Sequence, residues 1–185
     1  PVIEAEPWVK LDDTPNNVPE GPAFDREGNL YVTSVLKGQI LKITPQKKVE
    51  IVKEDPSHMF CGLAIHKDGR LVVVCVGGQM VVMRPDGSGM EEITARHEGH
   101  PFSPNDLVFD SEGNFYVTDL AGQVGVEAGG LYRVTADFTT VQPIVENLVT
   151  ANGVCMTPVE GAFPSPIPIG YELWVGESAM NRVVR

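Results

Sequence analysis

The feature that most limits the fold of this chain is an internal repeat. Residues 20–34 read EGPAFDREGNLYVTS, residues 61–75 CGLAIHKDGRLVVVC and residues 105–119 NDLVFDSEGNFYVTD. A fourth copy opens as NGVCMTP at 152 and resumes as YELWVGES at 171. Aligned on the turn glycines Gly28, Gly69 and Gly113, the first three copies are 41 and 44 residues apart. Each is an apolar stretch, a turn of the form D-x-x-G-N or its variant H-K-D-G-R, and a second β-rich stretch. Glycine late in such a turn supplies the positive φ that a tight hairpin needs. A third short strand follows (GQILKIT, GQMVVMR, GGLYRVT, NRVVR), and in three copies a fourth (KVEIVK, MEEITA, VQPIVE). Helical periodicity is nearly absent. Four antiparallel strands recurring every ~40–45 residues are the signature of a β-propeller blade. A β-sandwich, the alternative, does not repeat in this register.

The chain therefore reads as an all-β arc of three and a half to four propeller blades, spanning residues 20–54, 61–95, 104–147 and 152–185. Residues 1–19, with EPWVKLDD around Trp8, are expected to supply the outer strand of the blade that closes the ring. The strands that would close the ring are expected in a continuation or a separate segment of the same protein.

Propeller geometry gives the repeated positions a meaning. The first strand of each blade lines the central channel, and all first strands run the same way, so their starting residues ring one mouth of the channel. Glu20, Cys61 and Asn105 each lie eight residues before their turn glycine, and Asn152 matches by the glycine that follows it. One carboxylate and two amide oxygens thus converge on an axis. Such hard oxygen donors suit Ca²⁺, Mg²⁺ or Mn²⁺, with Zn²⁺ a less matched possibility. Taken singly, each residue would serve equally well as a turn cap; the shared register is what favours a site. Cys61 holds a ligand position with a poor Ca²⁺ donor and is expected to line the pocket wall. Second strands end on the same face at Ser34, Cys75, Asp119 and Glu177, an outer ring. Asp119 and Glu177, with Asp106 beside Asn105 and His58 in the loop 55–60, are the candidates for substrate contact or for support of the ligands. The loop 97–104 places His100 in the same region. The Gly-rich loop 120–130 has the composition of a lid, and the Pro-rich stretch 159–170 falls on the opposite face.

Composition narrows the partners. The net charge of −11 and pI near 4.7 repel nucleic acid and anionic membranes and concentrate cations. The longest apolar run, Leu71 to Val76, is far too short for a membrane helix. No signal peptide is visible after Pro1. Three cysteines without a C-x-x-C fit neither a disulfide framework nor a zinc ribbon and point to a reducing, cytoplasmic setting.

The motifs EGPAFD, SPNDLVFD, ANGV and LWVGESAMNRV resemble the gluconolactonase/senescence-marker-protein family, which includes regucalcin-like lactonases. The stretch from YVTDL to VTANGV is most similar to its bacterial drug-responsive lactonase branch. The resemblance runs along essentially the whole chain. It implies a six-bladed propeller with one divalent cation, usually Ca²⁺, held by Glu20, Asn105 and Asn152. It also implies a fourth ligand, the Asp of a P-D-G or P-D-S motif in the following blade, which serves as base or nucleophile; this chain stops at Arg185 before that blade. The expected function is metal-dependent hydrolysis of a small lactone. A phosphotriester hydrolase on the same site and a non-catalytic binding propeller are the alternatives, the last predicting no bound metal.

Overall fold

The computed structural model describes residues 4–12, 14, 16–93, 95, 97, 102–158 and 171–185. It is an all-β arc of four sheets, each a sequential antiparallel meander. Blade 1 holds β1 (Pro19–Phe24), β2 (Leu30–Ser34), β3 (Gln39–Ile43) and β4 (Val49–Glu54). Blade 2 holds β5 (Met59–Ile65), β6 (Leu71–Val76), β7 (Met80–Met83) and the short β8 (Glu91–Glu92). Blade 3 holds β9 (Pro104–Phe109), β10 (Phe115–Asp119), β11 (Gly129–Val134) and β12 (Val141–Leu148). Blade 4 holds β13 (Ala151–Pro158), β14 (Tyr171–Glu177) and β15 (Arg182–Val184). The blades stand side by side as a β-propeller, with β1, β5, β9 and β13 packed in succession along the inner edge.

The hairpin turns form where the sequence places them. Gly28, Gly69 and Gly113 adopt φ of +82°, +91° and +98°. In blades 1 and 3 the turn Asp closes the loop on itself: Asp25 Oδ1 accepts the Glu27 and Asn29 N–H groups, and Asp110 Oδ1 those of Glu112, Gly113 and Asn114. In blade 2 His66 takes that place, and the turn closes instead through Asp68, whose Oδ1 accepts the Arg70 N–H at 3.0 Å.

The cores lie between blades, because a strand sandwiched between two sheets buries both of its faces. In β6, Leu71, Val73 and Cys75 face blade 1 in a cluster with Tyr31, Ile40 and Phe60, while Val72 and Val74 face blade 3 with Phe115, Val117 and Tyr132. The unbroken apolar run of β6 is the period-two consequence of two buried faces. Blade 4 joins through a smaller cluster of Leu131, Leu148, Ala151 and Val175. Each buried Val, Leu, Ile or Phe among them contributes about 1.5–3 kcal/mol.

Residues 8–11 form no strand. Val9 and Leu11 lie against the Val32, Leu41 and Ile43 cluster of blade 1, and Lys37 pairs with Asp12. No helix among the described residues is long and apolar enough to cross a membrane.

Candidate functional site

Every first strand carries a β-bulge at the same point. In blades 2, 3 and 4 the residue just before the ring position pairs with the outer-ring residue of the second strand: Phe60 with Cys75, Pro104 with Asp119, Ala151 with Glu177. In blade 1 Pro19 pairs with Ser34. In each blade the register then slips before pairing resumes at Ala23, Leu63, Leu107 and Val154. An extra residue at such a slip bends the strand and re-aims its side chain. The four ring residues Glu20, Cys61, Asn105 and Asn152 therefore sit beside four equivalent bulges.

Glycine lets β1 approach β5, and β5 approach β9, closely at these bulges. The residue after the ring position is Gly21, Gly62 and Gly153 in blades 1, 2 and 4. A Cβ on Gly62 would lie 2.4 Å from the Asn105 carbonyl oxygen, and one on Gly21, whose φ is +53°, would lie 2.4 Å from the Leu63 nitrogen. In blade 3 the same position is Asp106, and its side chain crosses to blade 4. Asp106 Oδ2 accepts the Val154 N–H and Oδ1 the Leu107 N–H, each at 2.9 Å.

Two buried threonines join neighbouring blades at this level. Thr33 Oγ1 donates to the Cys61 carbonyl at 2.8 Å, and Thr118 Oγ1 to the Asn152 carbonyl at 2.5 Å while accepting the Asp106 N–H at 3.1 Å. Thr33 and Thr118 stand five residues after their turn glycines, and Val74 holds that place in blade 2. Each threonine fixes the backbone of the next blade's ring residue. In blade 2 the link is made by side chains instead: Asn105 Nδ2 donates to Cys61 Sγ at 3.3 Å.

The outer ring braces the segments leading into the first strands. Ser34 Oγ donates to Asn17 Oδ1 at 2.8 Å, Asp119 Oδ1 accepts the Ser103 and Ala121 N–H groups at 3.0 Å, and Glu177 Oε1 accepts the Val149 N–H at 2.8 Å. Arg182 pairs with the other Glu177 oxygen, holding that carboxyl below its usual range against the opposing effect of burial. Cys75 is fully buried in the core between blades 1 and 2. His58 turns to its own loop, with Nδ1 3.1 Å from both Asp55 Oδ2 and Ser57 Oγ and its ring stacked on Phe60. His100 and the stretch 159–170 lie outside the described residues. The loop 120–130 is folded into a tight turn by paired backbone bonds between Gln123 and Val126.

The inner ring is electronegative. Burial pushes the Cys61 thiol up to about 11, with the charges of Glu20 and Asp106 adding to the shift. Burial likewise raises the Asp106 carboxyl, opposed by the Val154 and Leu107 N–H groups and reinforced by Glu20. Glu20 is exposed and Asn152 half-buried, and neither side chain makes a hydrogen bond among the described residues. One carboxylate with two amides is a hard-oxygen set that fits Ca²⁺. Among the described residues no three His, Cys, Asp or Glu side chains converge.

A cleft of about 790 Å³ opens between the turns of blades 1 and 2, lined by Asp25, Tyr31, Lys42, Glu50 and Asp68. It lies at the far ends of β1 and β5 from Glu20 and Cys61. Three of its carboxylates, Asp25, Asp68 and Asp86, are occupied within their own turns.

The SMP-30/gluconolactonase/LRE-like family profile matches residues 18–163. The chain is 35% identical to lactonase drp35 of Staphylococcus epidermidis, over 99% of this chain and 54% of that protein. It superposes on the calcium-binding protein regucalcin of Agrobacterium tumefaciens with a TM-score of 0.70 at 19% identity, covering 94% of this chain and 55% of the other. A gluconolactonase of Xanthomonas campestris superposes with a TM-score of 0.65 at 20% identity, covering 88% and 60%. The chain spans about half the length of the curated relatives it matches.

Proposed function

The chain belongs to the SMP-30/gluconolactonase/LRE-like family, and from that premise we propose that it is part of a divalent-cation-dependent lactonase whose cation lies at the channel mouth among Glu20, Asn105 and Asn152. The observation that carries this reading is the shared register: three oxygen-bearing residues stand at the same bulge of three different blades. The names of the lactonase and calcium-binding relatives are consistent with it.

In this reading the bound cation, Ca²⁺ first among the candidates, supplies Lewis-acid polarisation of the lactone carbonyl. The chain's own residues do the rest of the shaping. Glu20 brings the formal charge that attracts the ion, and Asn105 and Asn152 offer neutral oxygens that hold it without quenching its field. Asp106 and Thr118 secure the backbone around Asn152, so that ligand geometry is set before substrate arrives. Cys61 stands in the wall of the mouth, where its sulfur meets the Asn105 amide. The general base is assigned to an Asp of a P-D-G or P-D-S motif in the blade after Arg185, within a six-bladed ring. Cytoplasmic residence belongs to the same reading, in keeping with three free cysteines.

The test is a pH-stat assay of the intact protein on five- and six-membered aliphatic lactones beside a phosphotriester, with and without chelator. Lactone hydrolysis that disappears on chelation and returns with Ca²⁺ is expected. Chelator-insensitive hydrolysis, or turnover of the phosphotriester alone, would overturn the assignment.

A further inference from the structure

A cysteine in the ligand register of blade 2 has no obvious use in a calcium site. Its surroundings give it one. Cys61 is 3% exposed and Asn105 8% exposed, and their side chains meet through Asn105 Nδ2 and Cys61 Sγ at 3.3 Å. In this contact the sulfur is the acceptor, and an acceptor selects the nitrogen end of the neighbouring amide.

An asparagine amide is planar, with its oxygen and nitrogen on opposite sides of Cγ. Only the oxygen can ligate a hard cation, because the nitrogen lone pair is delocalised and the nitrogen carries two hydrogens. Turning Nδ2 toward Cys61 turns Oδ1 away from blade 2. Thr33 fixes the Cys61 backbone by bonding its carbonyl, so the sulfur is held from blade 1. Gly62 permits the close approach of β5 to β9.

We propose that Cys61 is a positioning residue: its sulfur holds the Asn105 amide with the oxygen presented to the cation. The proposal rests on the reading that a cation binds at the channel mouth with Asn105 as a ligand. It assigns the thiol neither coordination nor chemistry. A thiol suits the task because it accepts weakly, through a large atom with long reach.

The distinguishing experiment uses the symmetry of a carboxylate. Aspartate at position 105 presents oxygen from both ends and needs no orienting partner. Ca²⁺ affinity is measured by calorimetry on the intact protein for wild type, Cys61→Ala, Cys61→Ser, Asn105→Asp and the Cys61→Ala/Asn105→Asp double variant. Losing one orienting hydrogen bond is expected to weaken Ca²⁺ binding about fivefold to tenfold in Cys61→Ala. Cys61→Ser restores an acceptor and is expected to remain within about twofold of wild type. In the Asn105→Asp background, Cys61→Ala is expected to change affinity by less than about twofold, since there is no amide left to orient. An equal loss in both backgrounds would mean that the sulfur only packs, and would overturn the proposal. So would unchanged affinity in Cys61→Ala. Glu20→Gln is the control on the underlying reading: if it binds Ca²⁺ as wild type does, the cation is not at the mouth and both readings fall. Loss in Glu20→Gln with none in Cys61→Ala removes the positioning role alone.

Discussion

Replacing Thr118 with valine should cost the protein more stability than the same replacement at Thr33, although both threonines are fully buried and occupy the same repeat position. Valine matches threonine in shape, so neither change opens a cavity; each removes a hydroxyl. At Thr33 one group loses its partner, the Cys61 carbonyl. At Thr118 two groups lose theirs, the Asn152 carbonyl and the Asp106 N–H. A buried polar group left unpaired costs about 1–3 kcal/mol. Thr33→Val should therefore destabilise by roughly 1–3 kcal/mol and Thr118→Val by roughly 2–5 kcal/mol. Blade 2, where Val74 stands at this position, shows that the fold tolerates valine when the link is made elsewhere. The assay is urea unfolding of the intact protein followed by tryptophan fluorescence, comparing midpoints at constant slope. If Thr118→Val proves no more destabilising than Thr33→Val, or if either falls within about 0.5 kcal/mol of wild type, the inter-blade clasp does not act as described.

Glu177 should give stability an acid limb. Its folded carboxyl is depressed by Arg182 and by the Val149 N–H, so its contribution is present above the unfolded value near 4.5 and is lost as pH falls through the lower folded value. Glu177→Gln should flatten that limb in pH-dependent unfolding; an unchanged acid limb would contradict the pairing. Gly62→Ala should force blades 2 and 3 apart, because the new methyl would sit 2.4 Å from the Asn105 oxygen and 2.7 Å from the Asp106 Cα. A loss of at least about 1–3 kcal/mol is expected from this overpacking, and a melting temperature equal to wild type would show that the blades can yield.

Much of this architecture is legible in the chain because a propeller repeats. Gly28, Gly69 and Gly113 mark the hairpins, and counting back from them places Glu20, Cys61 and Asn105 at one level. The bulges left a fainter trace. Gly21, Gly62 and Gly153 follow the ring residues, but a glycine in a strand announces close approach without naming what approaches. The threonine clasp was present at a fixed offset from the turn glycines, yet its partners lie 28 and 34 residues away in the next blade, beyond the reach of any local pattern. Asp106 shows the limit most clearly. Its place beside Asn105 makes it a candidate, but only the structure reveals both carboxylate oxygens on backbone N–H groups, one in blade 4. Asp119 and Glu177 share the outer register and bond backbone where the chain leads into the first strands. Within the segment expected to give the closing blade its outer strand, Val9 and Leu11 lie against blade 1, a contact that no local pattern announces.

The central claim is that a hard cation binds where the four bulged strands meet. Crystals of the intact protein soaked in Ca²⁺, or in Mn²⁺ for its anomalous signal, test it directly. The account predicts one strong peak at the channel mouth, with oxygens of Glu20, Asn105 and Asn152 at about 2.3–2.6 Å for Ca²⁺ and the Cys61 sulfur outside the coordination shell. A mouth without density at saturating cation, or a peak only in the cleft near Asp25 and Asp68 on the opposite face, would contradict it.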